Sequence, residues 1–386
     1  MPHPPKTLRR SLRALLTASL GALLALAAAT APAQAGAGHV GDVTEFPLTT
    51  PDSFPAGLTA GPDRAVWVAE NGADRIARVT RDGKVTEYPL PTPDGFPQNI
   101  VAGPGRALWF TEGLTSKIGR ITTKGRVTEF PLPGPDRFPL GIAVGGDHAL
   151  WFTEAFSNAI GRMTADGKVT EYPIPTPDSF PYYIATAADG SLWFTESYAG
   201  KIGRISLTGQ ITEYPLGNSF SFPSGIAAGP GGMWFTAAGL NAVGRISRSG
   251  EIKLFPMPSA DSLVYDITRG PDGHMWFTDQ AHGVGRISRS GAITQYPVPG
   301  AADKVPFNIT TGPDRNIWFG ELLAGSVGRV QALPGRGSGH TTLPVPAKTH
   351  PAPHPAAPAG HRPLRLAPGL DRLLQKKGLL QKKGLR

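Results

Sequence analysis

Ala107-Leu108-Trp109-Phe110-Thr111-Glu112, then Lys117-Ile118-Gly119-Arg120-Ile121-Thr122, then Val127-Thr128-Glu129-Phe130-Pro131-Leu132, reads as three consecutive β-strands. Aromatic and β-branched residues dominate each run, and Lys124-Gly125 supplies a hairpin turn between the last two. A short apolar strand, Asn99 to Gly103, precedes them and turns at Pro104-Gly105. The four make one antiparallel meander, and the tryptophans show how often it recurs. The chain's seven fall at Trp67, Trp109, Trp151, Trp193, Trp234, Trp276 and Trp318, at intervals of 42, 42, 42, 41, 42 and 42 residues. A strand-built repeat of this length predicts an all-β chain folded as a seven-bladed β-propeller of four-stranded antiparallel blades.

The strand count says how the ring closes. The last unit supplies three strands, up to Val330, and runs into Leu333-Pro334-Gly335 with no fourth. The missing piece stands at the start, as Asp42-Val43-Thr44-Glu45-Phe46-Pro47. The N-terminal strand is therefore predicted to complete the last blade and remove its open edge.

Three regions differ in composition. Residues 1–35 read as a signal peptide: Lys6, Arg9, Arg10 and Arg13 precede an apolar run from Ala14 to Ala29, and Ala33-Gln34-Ala35 offers small residues for cleavage. The expectation is a secreted or cell-envelope protein. Residues 36–334 form the propeller, and 335–386 a Pro-rich basic tail expected to be disordered. The tail carries ten Lys or Arg against one acid, Asp371, so most of the formal charge of +9 is not the propeller's. Residues 36–334 hold 24 basic and 28 acidic residues, which argues against nucleic acid as a partner. A basic tail end that repeats Leu-Leu-Gln-Lys-Lys-Gly suits contact with an anionic cell envelope. Cysteine is absent, which excludes thiol catalysis and thiolate metal sites.

Features present in nearly every unit belong to the scaffold. Each tryptophan is expected to pack between neighbouring blades. An Arg recurs on every third strand, as at Arg78, Arg120 and Arg162, and a Glu on most fourth strands, as at Glu87, Glu129 and Glu171. Their fixed offset suggests Arg–Glu ion pairs.

Function is sought where the units differ. After the Pro that opens each first strand stands a variable residue: Ala56, Gln98, Leu140, Tyr182, Ser224, Tyr265 or Phe307. Tyr182, Tyr183, Tyr265, Phe307 and Gln98 are predicted to form an aromatic, apolar rim that binds a small-molecule, peptide or glycan ligand. Antiparallel pairing about a turn near residue 63 sets Ala56 opposite Glu70. The same reasoning places a collar of carboxylates beside that rim, namely Glu70, Glu112, Glu154, Glu196, Asp279 and Glu321. Three roles remain open for it: accepting hydrogen bonds from loop amides, holding a divalent cation (above all through Glu70, Glu112, Glu154 and Glu196), or acid–base work. Glu321, Asp279 and His282, three residues beyond Asp279, are the candidates for catalysis. His148 and His274 sit in first-to-second-strand turns and read as solvated turn residues.

Blades reading Leu108-Trp109-Phe110-Thr111-Glu112, Lys117-Ile118-Gly119-Arg120-Ile121-Thr122 and Thr170-Glu171-Tyr172-Pro173-Ile174-Pro175 closely resemble the streptogramin B lyases, also called virginiamycin B lyases. The resemblance spans roughly residues 40 to 330 and implies a family of seven-bladed propellers. Its enzymes open a cyclic depsipeptide antibiotic by elimination across its ester, with magnesium. It also implies a His directly after the opening Pro in two successive late blades, one with a Glu two residues earlier. Here those positions hold no His, and the place of the Glu is taken by Phe54, Phe96, Phe138, Phe180, Phe222, Leu263 or Val305. Of the implied set, the carboxylate after the Trp strand has counterparts in Glu321 and Asp279. Three functions therefore stand: ligand binding without turnover; a divergent carbon–oxygen lyase or hydrolase that opens a cyclic depsipeptide or ester with a divalent metal; or a purely structural module attached to an acidic envelope by its basic tail.

Overall fold

The computed structural model describes residues 39–334; the segments expected to be a signal peptide and a basic tail lie outside the described residues. The described chain forms seven sheets of four antiparallel strands, six of them built from four strands consecutive in sequence. Blade one is Pro55–Ala60, Val66–Glu70, Arg75–Val79 and Val85–Pro89, and blade two starts at Pro97–Gly103. The inner strands of blades three to seven are Pro139–Val144, Pro181–Thr186, Pro223–Gly229, Val264–Arg269 and Pro306–Thr311. Blade seven takes Val43–Pro47 as its outer strand, with Val43 opposite Val330 and Pro47 opposite Ser326. The ring closes as the strand count predicts.

The repeat follows from packing. Trp67 shares a buried cluster with Leu108, Phe110 and Ile121 of blade two, so the indole fills the gap between blades. Its outer face stacks on Tyr88 at 5.7 Å, and Trp318 stacks on Phe46 at 5.1 Å. Phe110 lies flat over Gly119: a Cβ there would meet the ring at 2.1 Å. That contact explains a glycine in the middle of a strand, where it otherwise weakens the sheet.

The repeated arginines pair with turn aspartates rather than with the fourth-strand glutamates. Arg78 reaches Asp63 at 2.6 Å, Arg162 reaches Asp147 at 2.7 Å and Arg286 reaches Asp272 at 2.6 Å. The same aspartates accept a hydrogen bond from the indole Nε1 of Trp67, Trp151 and Trp276, each at 3.0 Å. Arg and Trp are directly opposite across strands two and three, as Arg78 is to Trp67. Both side chains therefore share the face that Thr86 continues, whereas Glu87 pairs with Ala77 and lies on the opposite face of the sheet. His274 is also drawn in, with Arg286 Nη2 at 3.1 Å from its Nδ1.

Candidate functional site

The connections that enter each blade and the loops between strands two and three lie at one end of the ring. Collar and entry residues meet there, with a register change. Glu70 pairs with Pro55, not Ala56, because a bulge between Pro55 and Leu58 inserts one extra residue into the inner strand. Glu112, Glu154, Glu196, Asp279 and Glu321 sit opposite Pro97, Pro139, Pro181, Val264 and Pro306 in the same way. The bulge re-aims the next two side chains toward the axis.

Just before each opening Pro the backbone is strained. Phe54, Phe96, Phe138, Phe180, Phe222 and Val305 all have φ between 43° and 55°, a region rarely occupied by bulky side chains. Hydrogen bonds hold it. Phe96 N donates to Asp74 Oδ1 at 3.0 Å, while its carbonyl accepts from Gly113 N at 3.2 Å. These are the positions where the lyase resemblance implies a Glu, and strain of this kind collects at functional sites.

The collar carboxylates are buried, and each stands near a fourth-strand partner. Burial first, then the charge of Glu87, pushes Glu70 up to about 8, and burial with Glu213 does the same to Glu196. Glu112 and Glu154 rise to about 7, again chiefly through burial. Burial raises Glu321 as well. Acceptance of loop amides, one role open to the collar, falls mainly to the fourth-strand glutamates. Burial works to raise Glu87, but hydrogen bonds from Thr49 and Thr50 outweigh it and hold it low. Glu129 takes Thr92 N at 3.0 Å, and Glu213 takes Thr176 N at 3.1 Å. The physical reason is reach: the longer-range pairing ties the outer strand of one blade to the connection arriving from the previous blade. A cation completes these sites, as with Lys117 at 2.6 Å from Glu129 and Lys304 at 2.6 Å from Glu45.

Blade six departs from the pattern at several touching positions. Its collar acid is the shorter Asp279, which accepts from Leu263 N and Ala281 N, both at 3.1 Å. Gln295 Nε2 reaches its other oxygen at 3.2 Å, and His282 Nδ1 the same oxygen at 3.0 Å. His282 is partly exposed, with Nε2 3.4 Å from Asp261. The sequence pairing of His282 with Asp279 is present in three dimensions.

At the axis the entry aromatics converge. Tyr265 and Phe307 stack with centroids 4.1 Å apart, and the Tyr182 and Tyr265 hydroxyls share a hydrogen bond from blades two apart. Tyr183 meets Tyr265 edge-on at 6.4 Å. The rings continue outward through Phe180, which contacts Tyr182 at 6.1 Å and stacks on Tyr198 at 4.6 Å. Tyr182, Tyr265 and Phe307 are buried and Tyr183 and Gln98 half-buried, so the aromatic residues of the expected rim pack against one another as a plug. The bulge causes it, by sending these side chains across a narrow axis. Burial pushes the Tyr182 phenol up to about 12.

Asp266 was not singled out from sequence. Its oxygens accept from Ile267 N at 2.8 Å and from Ile309 N of blade seven at 3.0 Å, and burial raises it to about 7. Asn308, equally buried, keeps its Oδ1 without a hydrogen-bond partner. The available signal was the residue next after the entry position in each inner strand: among Gly57, Asn99, Gly141, Tyr183, Gly225, Asp266 and Asn308, one carboxylate stands where the other blades carry Gly, Asn or Tyr.

These features define a seven-bladed propeller with a carboxylate-rich, aromatic blade-entry end. The chain belongs to the virginiamycin B lyase family, whose model matches residues 33–177 and 98–330. It is 38% identical to selenomethionine-substituted virginiamycin B lyase from Staphylococcus aureus, covering 76% of this chain and 99% of that one with a TM-score of 0.72. A catalytically inactive histidine-to-alanine variant of that lyase with quinupristin is 37% identical, with the same coverage and TM-score. A streptogramin B lyase structure is 37% identical over 75% of this chain and 96% of that one, with a TM-score of 0.71. No curated protein matches.

Proposed function

We propose that this protein is a binding member of its family, holding a ring-bearing peptide, glycan or other small molecule at the blade-entry end without carrying out the lyase elimination. The stack of Tyr265 on Phe307 supports the reading most directly. By the family resemblance, two successive late blades hold the imidazole base at this entry position. A phenol held above its usual pKa and a phenyl ring cannot remove a proton at neutral pH. Half-buried Tyr183 and Gln98, with Tyr182, Tyr265 and Phe307 behind them, are the proposed contacts.

Magnesium does not fit as a resident ion. Among the described residues no three His, Cys, Asp or Glu converge, and Lys304 lies within 3.8 Å of Glu321. The functional test is incubation with a streptogramin B depsipeptide, with and without magnesium, followed by mass spectrometry. Intact antibiotic is expected, and linear product would refute the reading.

One observation favours a second reading, a divergent lyase or hydrolase. The His282 ring is held between the buried Asp279 carboxylate, 3.0 Å from Nδ1, and the exposed Asp261 carboxylate, 3.4 Å from Nε2, which sets an imidazole suited to proton transfer at the entry end. Ester cleavage abolished by His282→Ala would establish it. Export is proposed from the basic and apolar leader; N-terminal sequencing of secreted protein is expected to begin at Gly36.

A further inference from the structure

The blade-entry end and the turn end carry opposite exposed charge. At the entry end the exposed charges are acids, such as Asp52, Asp261 and Asp303, while Lys117, Lys201 and Lys304 are half-buried against carboxylates. An antiparallel meander sends its first turn and its last hairpin to the opposite end. There Asp63, Asp147 and Asp272 are neutralised by Arg78, Arg162 and Arg286. What remains exposed on blades one and two is cationic: Arg64, Arg81 and Lys84 from the first, and Arg106, Lys124 and Arg126 from the second. The exposed acid among them is Asp82.

Two details concentrate the charge. The first turn of blade two reads Pro104-Gly105-Arg106, with no aspartate, so Arg120 lies over Trp109 at 5.7 Å without the turn carboxylate that Arg78, Arg162, Arg204 and Arg286 have. Arg329 of blade seven donates to the Arg81 carbonyl at 2.8 Å and pins that hairpin in place.

We propose that the turn end of blades one and two docks the propeller on an anionic lipid surface, with the blade-entry end facing away. The cations come from four separate turns on two adjacent blades. A flat charged surface reaches them together, whereas one extended polyanion follows a single row. Phe220, the exposed aromatic ring, belongs to the opposite end, so no base-stacking platform accompanies the patch. Leu207, 38% exposed, sits at a hairpin tip of the same turn end and offers an apolar side chain at the level of the surface.

The test compares the secreted full chain with Arg81→Glu/Lys84→Glu/Lys124→Glu/Arg126→Glu on phosphatidylcholine vesicles with and without phosphatidylglycerol. Both proteins carry the same C-terminal tail, so their difference reads the hairpins. Binding to phosphatidylglycerol vesicles is expected to weaken by about tenfold or more, with a shallower salt dependence and unchanged thermal unfolding. A four-glutamine version carries the same expectation in a smaller degree and replaces the Glu version if that misfolds. Equal vesicle affinity in wild type and variant overturns the proposal. So does a wild type that ignores phosphatidylglycerol, or one that binds heparin but not vesicles, which points to a linear polyanion instead.

Discussion

Tyr265 and Phe307 stack at 4.1 Å across the boundary between blades six and seven, from corresponding positions of successive inner strands. Tyr265 also meets Tyr182, so one ring joins three blades at the axis. Its burial changes what a mutation does. Tyr265→Ala is expected to cost about 3 kcal/mol of stability by leaving a cavity in the plug. Tyr182→Phe, which removes only the shared hydroxyl contact, is expected to cost about 1 kcal/mol. Urea unfolding of both variants measures this. Equal, negligible losses would mean the rings are mobile rather than packed.

Asp147 accepts from Trp151 Nε1 at 3.0 Å and from Arg162 Nε at 2.7 Å. Asp147→Ala strands an indole N–H that is part of the inter-blade core and frees a guanidinium. A loss of about 1–3 kcal/mol is expected. Arg162→Ala in the same background should then cost little more, since its partner is already gone; a double-mutant cycle reads the coupling.

Much of this was legible in sequence. Seven evenly spaced tryptophans fix the repeat, and the orphan strand at 42–47 announces the closure, because both rest on patterns that every blade obeys. The ion pairing of Arg78 was misassigned because Asp63 sits in a turn, fifteen residues away, where strand periodicity carries no information. The aromatic plug escaped for a different reason. One inserted residue between Pro181 and Ile184 turns Tyr182 from an outward neighbour of Glu196 into an axial side chain, and a bulge leaves no composition signal.

The closing strand is held by five residue pairs and by Phe46, which stacks on Trp318 at 5.1 Å, with the Arg329 guanidinium against both rings, 5.1 Å from Phe46 and 5.6 Å from Trp318. Deleting residues 39–47 bares the edge of blade seven and one face of that tryptophan. The expected outcome is loss of a single cooperative thermal transition and increased aggregation, read by calorimetry and light scattering. Phe46→Ala alone should keep the ring closed and lower stability by about 2–3 kcal/mol.

The buried carboxyls give stability an acid-side optimum. Glu70 and Glu196 have folded values of about 8 against an ordinary 4.5. Below 4.5 both folded and unfolded chains keep the proton, and the folded state has its full advantage. Between 4.5 and about 8 the unfolded chain ionises while the folded one does not, so the unfolded state binds fewer protons and stability falls as pH rises. Glu87 and Glu213 act in the opposite sense: held low in the fold, they contribute above their ordinary value and lose that contribution as the medium becomes more acid. Stability is therefore expected to peak near pH 5 and to decline toward pH 8. Glu70→Gln with Glu196→Gln removes the two groups that must ionise in the core, and should raise stability at pH 8 by roughly 1–2 kcal/mol per carboxyl while changing little at pH 5. Denaturant midpoints across that range measure the slope, and a double variant with the wild-type slope would place these protons elsewhere.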